Sequence, residues 1–326
     1  MIDQYLMMDP TDDAAWQSFA NEQPFRYRYT AVTGYTPSFD QYLPWKGPIS
    51  PSCYRDILAC YATPGSPGAP AVPNIQSNPN FVLRDINGNP LYLDWACLNG
   101  KCPQFCADPT NPDFQSFFIN LQKQDAAKGY NLYIDDVNLR IVTTDGSGNI
   151  VAPAGVTLAK WCRGLVEFLE TIRQSFPQQK IIHNVTWDDN TSPEYLARQI
   201  RSCDWANLER GFADPLLNAQ TTMRLVTYMD LVHALGKRII IENMTSKGPN
   251  GQDILDYLLG AYWVFFEEGD LFGVEDLHVN DSRLDIETGK PFTRVQTGPF
   301  TFSRPFQRGW AWVDLNAKTG GWTQSS

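Results

Sequence analysis

Two carboxylates at the ends of separate apolar runs are the residues in this chain best suited to chemistry: Asp135 in NLYIDDV and Glu209 in DWANLE. The same ending recurs along the chain. Asp135-Asp136, His183-Asn184, Glu209-Arg210 and Glu242-Asn243 each close a short apolar stretch, and YWVFFEEGD ends in Glu267 and Glu268. If the runs are parallel strands of one sheet, these polar ends converge on one rim. A pair of carboxylates there has the parts needed for glycosidic-bond hydrolysis. One, as the acid, protonates the leaving oxygen, and the other attacks as nucleophile or activates a water. Around the pair, Asp136, Asn138, Asn184, Trp187, Glu242, Asn243 and Glu268 are candidate substrate contacts, offering polar groups for hydroxyls and a ring for a sugar face. Taken singly, each acid also has a plainer role, capping the next helix or pairing with Arg210 or Lys247. Barrel aldolases and metal-dependent barrels load the same rim.

The elements that must position these residues follow from periodicity. Strand candidates are Gln4–Met8, Tyr27–Thr33, Asn80–Arg84 with Leu91–Asp94, Asn131–Val137, Lys180–Val185, Asp204–Glu209, Arg238–Met244 and Tyr262–Phe266. Eight strand positions are what a closed barrel requires, and parallel strands buried on both faces read as continuous apolar runs. Helices fit between the later strands. Asn111–Lys128 opens with Pro112 at its first turn, carries Phe114, Phe117, Phe118 and Leu121 on one stripe, and stops at Gly129. Val156–Phe176 and Ala219–Leu235 show the same period, the latter stopping at Gly236. The first third is less regular, and Ala62–Pro79 (ATPGSPGAPAVPNIQSNP) reads as an irregular loop. The expected architecture is α/β: a (β/α)8 TIM barrel forming one domain over residues 1–326. Residues 290–326, with Trp310, Trp312 and Trp322, form a C-terminal extension packing its aromatics on the barrel.

Composition narrows the partners. A formal net charge of −10, from 26 basic and 36 acidic residues, argues against a nucleic-acid binder, which normally presents a basic face. It argues equally against an anionic membrane surface, and no apolar run is long enough to span a bilayer. A carbohydrate substrate, neutral or cationic, fits better. Ten Trp residues suit a surface that stacks on sugars. The three histidines are scattered, with no HxH or HExxH spacing, so no catalytic metal is expected, and no glycine-rich phosphate loop calls for a nucleotide or other cofactor. Of seven cysteines, Cys97, Cys102 and Cys106 cluster in one region where a disulfide is plausible, whereas Cys162 and Cys203 read as buried thiols. MIDQYLMMDPTDD shows neither a basic n-region nor an apolar h-region. Localisation is open, with a secreted or periplasmic protein expected if a leader preceded this chain. Oligomeric state is not legible.

Two segments carry a resemblance. FVLRDINGNPLYLDW, followed by DPTNPDFQSFFINLQKQDAAKGYNLYIDDVNL, resembles a family of hypothetical barrel glycoside hydrolases (hypothetical glycosyl hydrolase family 15-like). That family is similar to the endo-α-1,4-polygalactosaminidases and, more distantly, to α-galactosidase-type barrels. HNVTW (183–187) and DWANLERGFAD (204–214) continue the match, which spans about residues 80 to 245. Where the family has Phe-Asp-Gly before the fourth strand, this chain has Tyr130-Asn131-Leu132. The resemblance implies an O-glycosidase acting on an α-linked polysaccharide or oligosaccharide, with Asp135 as nucleophile (or base) and Glu209 as general acid/base. Strand alternation agrees, since Tyr133 and Asp135 pointing inward would turn Asp136 outward. Two other readings stand beside it. A catalytically silent carbohydrate-binding barrel would hold the two carboxyls too far apart to share a bond. A barrel lyase or isomerase would use Glu209 as a base and leave an unsaturated or rearranged product.

Overall fold

In the computed structural model the described residues are 3–7, 29–34, 48–61, 78–94, 97, 102, 104–141, 143–187, 192–274 and 281–325. Eight parallel strands close a barrel: β1 (Gln4–Met7), β2 (Tyr29–Gly34), β3 (Ser52–Asp56), β4 (Asn131–Val137), β5 (Ile181–Val185), β6 (Trp205–Glu209), β7 (Arg238–Asn243) and β8 (Leu271–Val274). β8 pairs back onto β1, so no edge is left unpaired. Among the described residues five helices lie between these strands: α1 (Pro112–Lys128), α2 (Leu158–Ser175), α3 (Pro193–Arg201), α4 (Ala219–Ala234) and α5 (Leu255–Phe265). The chain is therefore a (β/α)8 barrel, as its strand count and βα alternation predict. Met8, Tyr27, Arg28, His278 and all but the last two residues of the Ala62–Pro79 stretch lie outside the described residues.

Strand alternation sorts the core into two bodies. Tyr5, Ala31, Tyr54, Tyr133, Ile182, Trp205, Ile240 and Leu271 fill the barrel interior. The alternate positions, such as Leu132, Ile134, Ile181, Ile239 and Ile241, pack outward against Phe114, Phe118, Trp161, Leu165, Phe168 and other helix residues. The helices begin and end where local chemistry dictates. Asn111 caps α1, its side chain accepting from the N–H groups of Asp113 and Phe114, and Gly129 closes it at φ 102. Asn218 and Thr221 form a capping box on α4.

Two strand assignments from sequence are corrected. The third barrel strand is Ser52–Asp56, not Asn80–Arg84 with Leu91–Asp94. Residues 80–94 belong instead to an excursion after β3, in a small antiparallel sheet of Ala59–Tyr61, Gln104–Cys106, Tyr92–Leu93 and Thr143–Thr144. Apolar runs in parallel and antiparallel strands look alike, and Arg55 in the middle of SCYRD masks a buried strand. That arginine is buried because it forms a two-pronged ion pair with Asp125 of α1, at 2.8 and 2.9 Å. The eighth strand is Leu271–Val274, and Tyr262–Phe266 is the end of α5 with its C-cap. This helix is buried on every side, between the barrel and a four-stranded antiparallel sheet made by residues 295–324. It therefore lacks the polar face that marks a helix in sequence. Phe302, Phe306 and Trp322 of the sheet meet Phe265, Phe266 and Trp263 of the helix segment edge-on or stacked. Among the described residues no helix is long and apolar enough to cross a membrane.

Cys97 and Cys102 form a disulfide, while Cys53, Cys60, Cys106, Cys162 and Cys203 are buried thiols. The Arg55–Asp125 pair yields a direct expectation. Arg55→Met strands a carboxylate inside the protein and should lower unfolding free energy by about 3–5 kcal/mol in urea titration. Combining it with Asp125→Leu should recover most of that loss.

Candidate active site

At the C-terminal ends of the strands, where barrel enzymes place their chemistry, one amide holds two acids. Asn184, the next-to-last residue of β5, donates through its Nδ2 to Asp135 Oδ1 at 2.7 Å and to Glu209 Oε2 at 2.8 Å. Both bonds share one nitrogen, so these two oxygens lie no farther apart than about 5.5 Å. The register explains the convergence. Asp135 (β4), Asn184 (β5) and Glu209 (β6) each stand on the inward alternation of neighbouring parallel strands, at the last turn of the sheet. Glu209 is exposed at the open end of the strand and Asp135 sits deeper.

The layer beneath is polar and fully packed. Tyr54 Oη donates to Asp135 Oδ2, and its ring stacks on Tyr133 with centroids 5.6 Å apart. Asn207 Nδ2 donates to Tyr133 Oη at 2.8 Å and to Glu242 Oε2 at 2.7 Å. Burial pushes the Asp135 carboxyl above the usual Asp range, as does the charge of Glu209, while the bonds from Tyr54 and Asn184 pull it back. A third carboxyl joins from β3. Asp56 is the register partner of Asp135, and its Oδ1 accepts from the N–H groups of Leu58 and Ala59 at 2.8 and 2.9 Å. Burial, followed by the charge of Asp135, raises Asp56 to about 7.

The other residues expected at the site separate into groups. Glu242, the register partner of Glu209 on β7, is buried and held by Asn207. Asp136 does not join the Asn184 bridge. It takes the left-handed conformation, φ 54, at a bulge in β4 and faces a cavity of about 60 Å³ beside the site, lined also by Asp94, Asn138 and Arg140. The side chain of Asn138 is engaged locally, accepting from the Arg140 N–H at 3.0 Å, while its carbonyl accepts from Trp161 Nε1 at 2.9 Å. Trp187 follows β5 and packs half-buried against the outer core.

Two expected substrate contacts are corrected. Asn243 is 0 % exposed. Its Oδ1 accepts from the N–H groups of Phe212 and Ala213 at 3.0 and 3.3 Å, and its Nδ2 donates to the Gly273 carbonyl at 3.2 Å. It pins the turn after β6 to the end of β8 and has no polar atom to offer a sugar. Glu268 lies in the turn that leads into β8, hence at the opposite end of the barrel from the Asp135–Glu209 pair. Its misplacement follows from reading α5 as the strand. His183 points outward, fully buried, and burial pushes it down to about 3, with Arg173 and Lys237 adding to the effect, so it stays neutral. Sequence reasoning missed Tyr54 and Asp56, because SCYRD was not recognised as a strand. The closing acid matched the strands that were found, but Arg55 interrupts the apolar run before it. It also missed Asn207, one alternation below Glu209. Among the described residues no group of three or more His, Cys, Asp or Glu side chains is arranged to hold a metal ion.

No protein-family profile matches the chain, nor does any curated protein sequence. Solved structures do resemble it. The glycoside hydrolase domain of PelA from Pseudomonas aeruginosa aligns with a TM-score of 0.53 at 15% identity, over 84% of this chain and 94% of that one. The alpha-galactosidase from Lactobacillus brevis gives 0.57 at 10% identity, over 96% of this chain and 46% of that one. The alpha-N-acetylgalactosaminidase NagBb from Bifidobacterium bifidum gives 0.53 at 9% identity, over 99% and 58%. At these identities the likeness is one of fold: this chain shares its barrel with glycoside hydrolases.

The two asparagines at the rim should part company on substitution. Asn243→Ala leaves buried N–H groups without an acceptor and is expected to lower unfolding free energy by roughly 2–3 kcal/mol. Asn184→Ala, at the open rim, should cost less than about 1 kcal/mol. Urea denaturation of the two variants side by side checks this.

Proposed function

We propose that this protein is a retaining glycoside hydrolase in which Asp135 is the nucleophile and Glu209 the general acid/base. The observation that carries the reading is the pair of hydrogen bonds from Asn184, which leaves the facing oxygens of the two carboxyls no farther apart than about 5.5 Å. Carboxyl groups about 5–5.5 Å apart suit direct attack on the anomeric carbon, whereas inverting enzymes need about 6.5–9.5 Å to admit a water. The silent-barrel reading required a wide separation, which this geometry does not favour.

Each residue then has a task. Asp135, held by Tyr54 and Asn184, attacks the anomeric carbon as Glu209 delivers a proton to the leaving oxygen. A covalent glycosyl ester forms on Asp135. Glu209, now a carboxylate, takes a proton from water, which hydrolyses the ester and restores both groups. Glu209 stands at the open end of the strand, where leaving group and water can reach it. Asn138 and Trp187 stand as candidate contacts, Asn138 from the adjoining cavity, while the buried Glu242 would act through Asn207.

The substrate class we propose is an α-linked polysaccharide or oligosaccharide. Support comes from the sequence resemblance to endo-α-1,4-polygalactosaminidase-like barrels and from the fold shared with an alpha-galactosidase and an alpha-N-acetylgalactosaminidase. The formal charge of −10 suits a neutral or cationic glycan. The Cys97–Cys102 disulfide supports an oxidising compartment, hence a secreted or periplasmic site of action.

Asp135→Asn and Glu209→Gln should each lower kcat by about 10²–10⁴-fold. Proton NMR of the first-formed product should show the starting anomer. A 2-deoxy-2-fluoro glycoside should label Asp135, detected by peptide mass spectrometry. Inverted product, or full activity in Asp135→Asn, would defeat the assignment. The acid limb of kcat/KM should also lie above the usual Asp range, because Asp135 must be ionised and its pKa is raised.

A further inference from the structure

Among the described residues, Asp136 is the one acid at the rim whose backbone takes the left-handed conformation. Ile134 pairs with His183 and Val137 with Val185, so β4 holds one more residue than β5 across this interval. Ile134 and Val137 both point into the outer core, Asp135 points inward, and Asp136 is the extra residue of a bulge at φ 54. For a residue other than glycine this conformation is strained and persists only where the surroundings hold it.

What holds it is a second carboxyl. The side chains of Asp136 and Asp56 are hydrogen-bonded to each other. An ionised carboxylate has no proton to donate, so one of the two must be a carboxylic acid. Asp56 Oδ1 already accepts two backbone N–H groups, from Leu58 and Ala59, which favours its charged form. The proton therefore sits on Asp136. Its surroundings agree. Asp56 on β3 and Asp135 beside it on β4 bear on it with negative charge, as does Glu209 on β6 once it has given up its proton. The excursion sheet adds Cys106, itself close to Cys60 and Asp108 and held as a neutral thiol by burial, together with Asp94. Arg140 lines the cavity from the far side. Burial and these charges push Asp136 well above the usual Asp range.

The pair bears directly on Asp135. Asp56 is its register partner, and the N–H of Ile57, the next residue, donates to the Asp135 carbonyl at 3.2 Å. The same few residues of β3 thus grip the bulge by its side chain and by its main chain, on both sides of the bond that sets where Asp135 points. We propose that Asp136 is a positioning residue that works as a carboxylic acid: its proton, shared with Asp56, clamps the bulge that aims Asp135. Ionising it would set three carboxylates against one another at the end of two strands and release the bulge.

The activity arm of the test rests on Asp135 as the nucleophile; the spectroscopic arm does not. The wild-type-minus-variant infrared difference spectrum at neutral pH should contain the carbonyl stretch of one protonated carboxyl, for Asp136→Asn and for Asp56→Asn alike; the proton that Glu209 carries as the acid is common to all three proteins and cancels. Asparagine at 136 can still donate to Asp56 without carrying a titrating proton, so Asp136→Asn should keep kcat within about tenfold of the wild type. Asp136→Ala should lose about a hundredfold in kcat with KM little changed, the scale of a 1 Å misplacement. If Asp136→Ala does not fold, the contrast is made with Asp136→Leu, and the infrared comparison stands without either. A difference spectrum for Asp136→Asn without a protonated-carboxyl band, or an alanine variant as active as the wild type, overturns the proposal. Activity in Asp135→Asn with the band behaving as stated would defeat the nucleophile assignment and leave the shared proton intact.

Discussion

The mouth of this barrel gathers several carboxyls in a volume where water is scarce, and keeping them together is the constraint that shapes the rest of the site. Like charges in a buried setting raise one another's pKa and repel. The structure answers with donors placed between them. Asn184 lies between Asp135 and Glu209, Asn207 lies between Tyr133 and Glu242, and two backbone N–H groups face Asp56. An amide nitrogen has two hydrogens and no charge, so one residue can hold two acids at a fixed spacing. The stacked tyrosines beneath supply a rigid floor and, through Tyr54, one more donor.

These donors lie where they do because of register. In a closed parallel barrel the inward positions of neighbouring strands rise in steps around the ring, so polar side chains at equivalent heights meet only if each strand ends at the correct step. β4 departs from that rule by one residue, and the departure falls between Asp135 and Val137. The bulge separates adjacent acids, sending Asp135 into the mouth and Asp136 to the side cavity. Beyond the mouth, the turn after β6 runs through two successive left-handed residues, Arg210 and Gly211. A Cβ on Gly211 would meet Asn243 Oδ1 at 2.6 Å, so the asparagine and the glycine together fix where Glu209 begins its exit from the sheet.

Much of this was legible in the residues alone. Continuous apolar runs, amphipathic helices with Pro112 and Gly129 at their ends, and acids closing the strands reported the barrel and the Asp135–Glu209 pair, because each depends on local periodicity or on chemistry carried by single side chains. Asn184 was named among the contacts for the same reason. Tyr54 and Asp56 were not, since Arg55 breaks the apolar signal of β3 and its partner, Asp125, lies 70 residues away in sequence. Helix α5 was mistaken for a strand because a helix buried on all sides has no polar face to betray its period.

The sequence by itself therefore determined which residue types stand at the strand ends and that the chain alternates strand and helix; both are properties of neighbours along the chain. Only the tertiary structure decided which of those ends face each other. The bulge in β4, the shared amide of Asn184, the commitment of Asn243 to backbone partners and the position of Glu268 at the opposite end all follow from the pairing of strands distant in sequence. Such pairing is governed by register across the sheet, to which local periodicity is blind.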